Sequence, residues 1–320
     1  MNEPIDWLLD SPPWVKYRTR LDLLGEAERG KDVKAARQAM LDHPPVQALV
    51  SELRDWPGPT LTRHNDASHL LHKLVFIADL GLRVNDPGVD RIVDRVLDHQ
   101  STAGAFQVKV NIPTHFGGTG KDQLAWMLCD APSIVYALAK LGVKDRRVKA
   151  AAKHLTGLIR DNGWPCAAAP ELGRFHGPGR RSDPCPYANL ITLKALAQTR
   201  EWHDDEVCHV GAETLLSLWS QRTAQRPYLF AMGSDFAKLK APLIWYDILH
   251  VADVLTQFEW LRNDNRLGEM LSIVKAKADD SDRFTPESIW QAWRAWDFGQ
   301  KREPSAWLTL IAWRMLNRTR

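Results

Sequence analysis

Five short stretches carry residues able to do chemistry. Four of them read Asn65-Asp66-Ala67-Ser68-His69, Cys129-Asp130-Ala131-Pro132-Ser133, Asp183-Pro184-Cys185-Pro186-Tyr187 and Leu243-Ile244-Trp245-Tyr246-Asp247, the last with His250 one turn further on. Each stands where an apolar helix is predicted to begin. A helix start offers free N–H groups and partial positive charge, so carboxylates and thiols placed there have two readings. Asp66, Asp130 and Asp183 fit as N-caps, Cys185 as a small buried hydrophobe, and His250 as a hydrogen-bonded core residue. Together they also fit a reactive cluster. The fifth stretch is a loop of about 25 residues, long for a compact chain. It carries Arg174, His176, Arg180 and Arg181 just ahead of Asp183. Those residues suit an anionic group such as a diphosphate or carboxylate, as they also suit a solvated basic loop. The four cysteines, Cys129, Cys166, Cys185 and Cys208, form no CxxC pattern and read as free thiols of a cytosolic chain.

The elements that must position these residues recur along the chain. Asp86, Asp145 and Asp204 stand 59 residues apart, as do Val89, Val148 and Val207, and so do Gly104 and Gly163. A looser fourth copy starts at Asp264, with Leu267 in the valine register. In each unit an apolar helix is followed by a short turn, a capping Asp and an amphipathic helix. The spacing predicts leading helices over 14–24, 71–80, 133–141, 190–197, 248–255 and 305–316. It gives roughly eleven helices in all, and the only strand-like stretch is 106–112. A period near 60 exceeds that of common helical solenoids, about 34–47 residues. No linker rich in Gly, Ser or Pro divides the chain, so one domain over 1–320 is expected. The leading helices are apolar on more faces than their partners, as in an inner layer with helix behind and a cavity in front. The expected fold is therefore all-α: an α/α toroid of about five to six helix pairs.

Composition narrows the function classes. Lys and Arg number 42 against 39 Asp and Glu, a net charge of +3, too balanced to argue for nucleic acid or an anionic membrane. The start is acidic rather than signal-like, and no run approaches ~18 apolar residues, so a cytoplasmic protein without an integral membrane segment is expected. Fourteen tryptophans against five tyrosines and nine phenylalanines point to broad apolar surfaces.

This pattern resembles the α/α toroid of squalene-type terpenoid cyclases and protein prenyltransferase β subunits, from about Trp14 to Leu316. The resemblance rests on repeat architecture more than on long motifs. Asn162-Gly163-Trp164 resembles the Gly-Gly-Phe-type turn of the prenyltransferases, Arg180 and Arg181 their diphosphate-binding residues, and Asp183-Pro184-Cys185 their metal pair. Asp247 and His250 lie 62 and 65 residues after Cys185, and either occupies the third-ligand position. The resemblance thus implies a possible zinc site of Asp183, Cys185 and Asp247 or His250 with an open fourth position. Cys166 is a substitute ligand, in a set of Cys166, Cys185 and His176.

The cyclase motifs Asp-x-Asp-Asp and Asp-Asp-x-x-Asp are both missing. A cyclase would then use a single carboxylate, Asp130 first or Asp247 second, with His250 and Tyr187 near the reacting atoms. An apolar surround would have to raise the pKa of that acid. Aromatics including Tyr17, Trp164, Tyr187, Trp245 and Trp307 would face a carbocation, or would pack the core. The expectation is an enzyme acting on a hydrophobic, isoprenoid-like small molecule whose anionic head meets Arg174, His176, Arg180 and Arg181. A zinc-dependent transferase or hydrolase, and a non-catalytic binding or interaction module, are the alternatives.

Overall fold

The computed structural model describes residues 2–175, 177, 179–224, 230 and 232–319. It is all-α in class, with 49% helix against 6% strand. The chain forms two compact units, one of residues 51–232 and one of residues 1–50 with 233–320.

The first of these units holds α5 (Leu70–Leu80), α6 (Val89–Leu97), α7 (Ala131–Lys140), α8 (Arg146–Thr156), α9 (Pro186–Leu196) and α10 (Glu206–Ser220). Every residue of α9, and all but Lys73 of α5, is buried. These helices are apolar on all faces because they have neighbours on several sides. In α6, by contrast, Val89, Ile92, Val93, Val96 and Leu97 are buried at helical spacing, while Asp90, Arg91, Asp94 and Arg95 face water. Helix α7 packs on α5, α8 and α9, and α9 packs on α10.

Helices α5 and α7 run in the same direction. Their starts meet at His64 and Asp130, and near their ends the Tyr136 hydroxyl donates to the Asp79 carboxylate. Both helices end in a left-handed glycine, Gly81 and Gly142. The next residue's N–H bonds back to the carbonyl of Ile77 or Leu138, and this stops the helix.

The repeat survives with one slip. Asp145, Asp205 and Asp264 cap their helices by accepting from the N–H groups of Arg147, Val207 and Arg266. The buried register positions are Val89, Val148, Cys208 and Leu267. The third copy thus carries one extra residue, which makes Asp205 the cap in place of Asp204 and buries Cys208 in place of Val207. In the first copy Gly88 starts the helix, and Asp86 accepts from the Arg83 N–H at 2.8 Å. Gly104 and Gly163 both adopt positive φ, and each lies against the second helix of the next repeat, at Ala150 of α8 and Thr214 of α10.

The strand-like stretch forms β1 (Val108–Val110), paired antiparallel with β2 (Gln123–Ala125) so that Lys109 faces Leu124. The partner strand was not expected from the sequence, because three residues are too few to display an alternation.

The second unit contains α1 (Ile5–Leu9), α2 (Pro13–Asp22), α3 (Lys31–Leu41), most of α4 (Pro44–Glu52), α11 (Ile248–Leu255), α12 (Asn265–Lys275) and α13 (Ala306–Asn317). Helix α2 packs on α3 and α13, and α11 on α12 and α13. All of α11 is buried, and its Asp253 accepts from Arg314 at 3.2 Å and Arg318 at 3.1 Å. Trp14 stands edge-on to Trp296 with ring centres 4.8 Å apart, and Trp293, Trp296 and Phe298 continue the cluster. Trp164, Trp293, Trp307 and Trp313 are all under 2% exposed. These indoles are core.

Candidate active site

The starts of α5, α7 and α9 gather three thiols, three histidines, a carboxylate and a phenol. Cys129 and Asp130 directly precede α7, Cys185 is the N-cap of α9, and His69 is the N-cap of α5. The long loop supplies Cys166, and backbone pairing holds it in place. On one side Cys185 donates its N–H to the Trp164 carbonyl at 2.8 Å. On the other, the Leu128 N–H bonds to the Ala167 carbonyl at 2.8 Å, and the Ala169 N–H to the Trp126 carbonyl at 2.9 Å. Residues 164–169 are thereby threaded between the segments that lead into α7 and α9. Asn189 locks this arrangement, because its side chain accepts from the Trp164 N–H and donates to the Trp164 carbonyl. The Trp164 indole donates to the Leu155 carbonyl at 2.8 Å.

Asp130 occupies the N-cap position of α7, yet its side chain makes no capping bond. One carboxylate oxygen instead lies 2.9 Å from Nδ1 of His64. Asp130 is 1% exposed, and its other oxygen has no hydrogen-bond partner among the described residues. The His64 side chain is 27% exposed. Burial alone would lower its pKa, but the Asp130 charge and the hydrogen bond outweigh that and raise it to about 9. At neutral pH the His64 ring is therefore an imidazolium, held against Asp130.

His72 behaves in the opposite way. Its Nε2 donates to the His64 carbonyl at 2.8 Å, and burial holds its pKa down at about 4. This neutral ring fixes the backbone that carries His64.

Cys129 stands between the other two thiols. Its sulfur lies 3.9 Å from that of Cys185, and it also hydrogen-bonds with Cys166. These contacts, together with burial, push the Cys129 pKa far up. Cys166 is half-buried and shifts the other way, down to about 7. The Cys129 hydrogen bond is the main cause. Burial opposes it, while the Gly177 N–H and the His64 charge act with it. Tyr187, 2% exposed, is held in its neutral form by burial and by the Asp130 charge. At neutral pH Cys166 is thus about half in its thiolate form, Cys129 keeps its proton, and His64 is a cation oriented by the buried Asp130.

The other expected residues fall into distinct places. Asp66 accepts from the N–H and hydroxyl of Ser68 and does not cap α5. Asp183 accepts from the Arg180 N–H at 3.1 Å, two positions ahead of the true cap, Cys185. It borders a surface groove of about 710 Å³ shared with Asp161, Glu206, His209 and Glu213. Arg174, Arg180 and Arg181 are exposed on the loop that carries Cys166. His176 lies outside the described residues. Tyr17 is 1% exposed on α2. Asp247 caps α11, accepting from the His250 N–H at 3.0 Å, while the His250 ring pairs with the Trp245 carbonyl at 2.8 Å. His250 is thus a hydrogen-bonded core histidine of the second unit, and Asp247 is the cap of its helix.

Among the described residues, no three His, Cys, Asp or Glu side chains are grouped to hold a metal ion. The donors of the expected zinc set are otherwise engaged: Asp183 turns back to its own loop, and the Cys185 sulfur accepts from the Ala188 N–H at 3.5 Å. The residues present do not fit that metal.

His64, His72 and Cys129 were not among the expected site residues. His64 precedes the predicted helix and shows no period of its own. Its nearest signal was the run His64, His69, His72 at a helix start. Cys129 could have been found by laying the start of α7 over that of α9, because each presents a cysteine beside its first turn.

No protein-family model matches the chain, and no curated protein matches it. Among solved structures the chain is similar to one described as the crystal structure of a protein from Actinoplanes. The two are 12% identical, with a TM-score of 0.45 over 96% of this chain and 90% of that one.

Proposed function

We propose that residues 51–232 carry a cysteine-dependent acyl-transfer or hydrolytic site, with Cys166 as nucleophile, His64 as general acid and base, and Asp130 as the residue that orients His64. The observation that carries this reading is the pairing of buried Asp130 with the part-exposed His64 beside a thiol hydrogen-bonded by Cys129. A thiolate attacks a carbonyl carbon without first needing a base. The imidazolium then gives its proton to the leaving group, and the resulting neutral ring takes a proton from the water or acceptor that releases the acyl group. Gly177 directs its N–H at the Cys166 sulfur. The exposed Arg174, Arg180 and Arg181 on the same loop favour a substrate with an anionic group. The α/α toroid belongs to this proposal as architecture, and the parallel start-to-start packing of α5 and α7 supports it.

The test is a panel of activated esters and acyl thioesters, followed by peptide mapping. An acyl adduct on Cys166, with turnover abolished in Cys166→Ala, supports the reading. Turnover that survives this substitution rejects it.

A second reading is acid-assisted rearrangement of a hydrophobic, isoprenoid-like substrate, with the proton supplied from the Asp130–His64 pair. The oxygen of buried Asp130 that has no hydrogen bond among the described residues favours it. It predicts the reverse pattern: loss of turnover in Asp130→Asn and none in Cys166→Ala.

A further inference from the structure

We infer that Cys166, Cys129 and Cys185 form a reversible disulfide relay that responds to peroxide. The inference rests on the reading of Cys166 as the nucleophile. It adds roles for two thiols that acyl transfer does not use.

The geometry is a chain of three sulfurs. Cys166, half-buried at one end, is reachable from solvent. Cys129, in the middle, is 5% exposed and touches both neighbours. Cys185, at the far end, is 4% exposed. All four cysteines of the chain are free. Cys208 lies apart on α10, fully buried, with its pKa pushed up to about 12 by burial. It serves as an internal control.

The steps balance. The Cys166 thiolate attacks the terminal oxygen of a hydroperoxide. The O–O bond breaks, and the alkoxide leaves and takes up a proton to become the alcohol. Cys166 is oxidised to a sulfenic acid and the peroxide is reduced. The Cys129 sulfur then attacks the Cys166 sulfur. An S–S bond forms, the S–O bond breaks, and hydroxide leaves with the Cys129 proton as water. The Cys185 sulfur then attacks the Cys129 sulfur: a Cys129–Cys185 bond forms, the Cys129–Cys166 bond breaks, and the Cys185 proton passes to the released Cys166 sulfur or to water. A dithiol reductant reverses the oxidation and is itself oxidised to a disulfide.

The experiment uses the full reduced chain, an organic hydroperoxide and non-reducing peptide mapping. Iodoacetamide labelling of an unoxidised sample runs in parallel. The expected result is a disulfide joining Cys129 to Cys166 or to Cys185, removed by dithiothreitol, with Cys208 still free. In Cys129→Ser, the disulfide is lost and Cys166 is trapped by dimedone as its sulfenic acid. The relay is overturned if wild-type Cys166 goes to sulfinic acid while Cys129 and Cys185 stay alkylatable. It is overturned equally if a bound metal ion shields all three thiols until a chelator is added. Rapid iodoacetamide labelling of Cys166 without any disulfide rejects the relay and leaves the nucleophile standing. Absence of that labelling rejects both.

Discussion

Nδ1 of His64 lies 2.9 Å from Oδ1 of Asp130, a residue 66 positions further along the chain. The contact joins the segment before α5 to the start of α7, and it fixes both the charge and the direction of the imidazole.

Asp130→Asn should remove that charge. Burial alone lowers the pKa of His64, so its titration should fall from about 9 to below the ordinary histidine value. NMR titration of the imidazole measures this. The raised native pKa also makes stability depend on pH: the contribution is complete below about 6.5 and is lost as pH rises through about 9. Its size is on the order of 3 kcal/mol. Urea midpoints of the wild type should decline across that window, and those of Asp130→Asn should not.

His72 should govern the acid side. Its native pKa of about 4 lies below that of the unfolded chain, so the unfolded state binds a proton first. Stability from this residue is complete above about 6.5 and is lost as pH falls toward 4. His72→Gln, which keeps a donor for the His64 carbonyl, should flatten the urea midpoint between those values.

Gly211→Ala should disturb the site from a distance. A Cβ there would overlap the Trp164 ring, which is held by its bond to the Leu155 carbonyl. The expected cost is about 1–3 kcal/mol, read from thermal or urea unfolding. Because Trp164 and Cys166 share one pinned segment, alkylation of Cys166 should also lose its site selectivity.

Helix class and repeat were legible because burial imposes a period on the residues themselves. The full burial of α9 and the one-sided burial of α6 follow directly from their apolar patterns. The slip at Asp205 was not legible, because Asp204 and Asp205 are adjacent and equally good caps. The candidate site was legible only in part. Asp130, Cys166, Cys185 and Tyr187 stood out by their places at helix starts or in the long loop. Their grouping depends on the backbone pairing of residues 164–169, and that pairing leaves no pattern in side-chain types. The tryptophan excess pointed to a lined cavity, whereas Trp164 and Trp307 are packed at 0% and 1% exposure. Indole count alone does not separate a lining from a core.

His64→Gln should raise the pKa of Cys166, because the nearby positive charge is lost while the Cys129 hydrogen bond and the Gly177 N–H remain. The pH profile of iodoacetamide labelling should move upward by a fraction of a unit to about one unit, with the fold unchanged by circular dichroism.

The central claim is that Cys166 is the activated thiol of this chain. The measurement that tests it most directly is the pH dependence of alkylation at each of the four cysteines, followed by quantitative peptide mapping. The prediction is that Cys166 labels first, with an inflection near pH 7, while Cys129, Cys185 and Cys208 lag. An inflection at the ordinary thiol value of about 8.5, or equal labelling of the four, would contradict it.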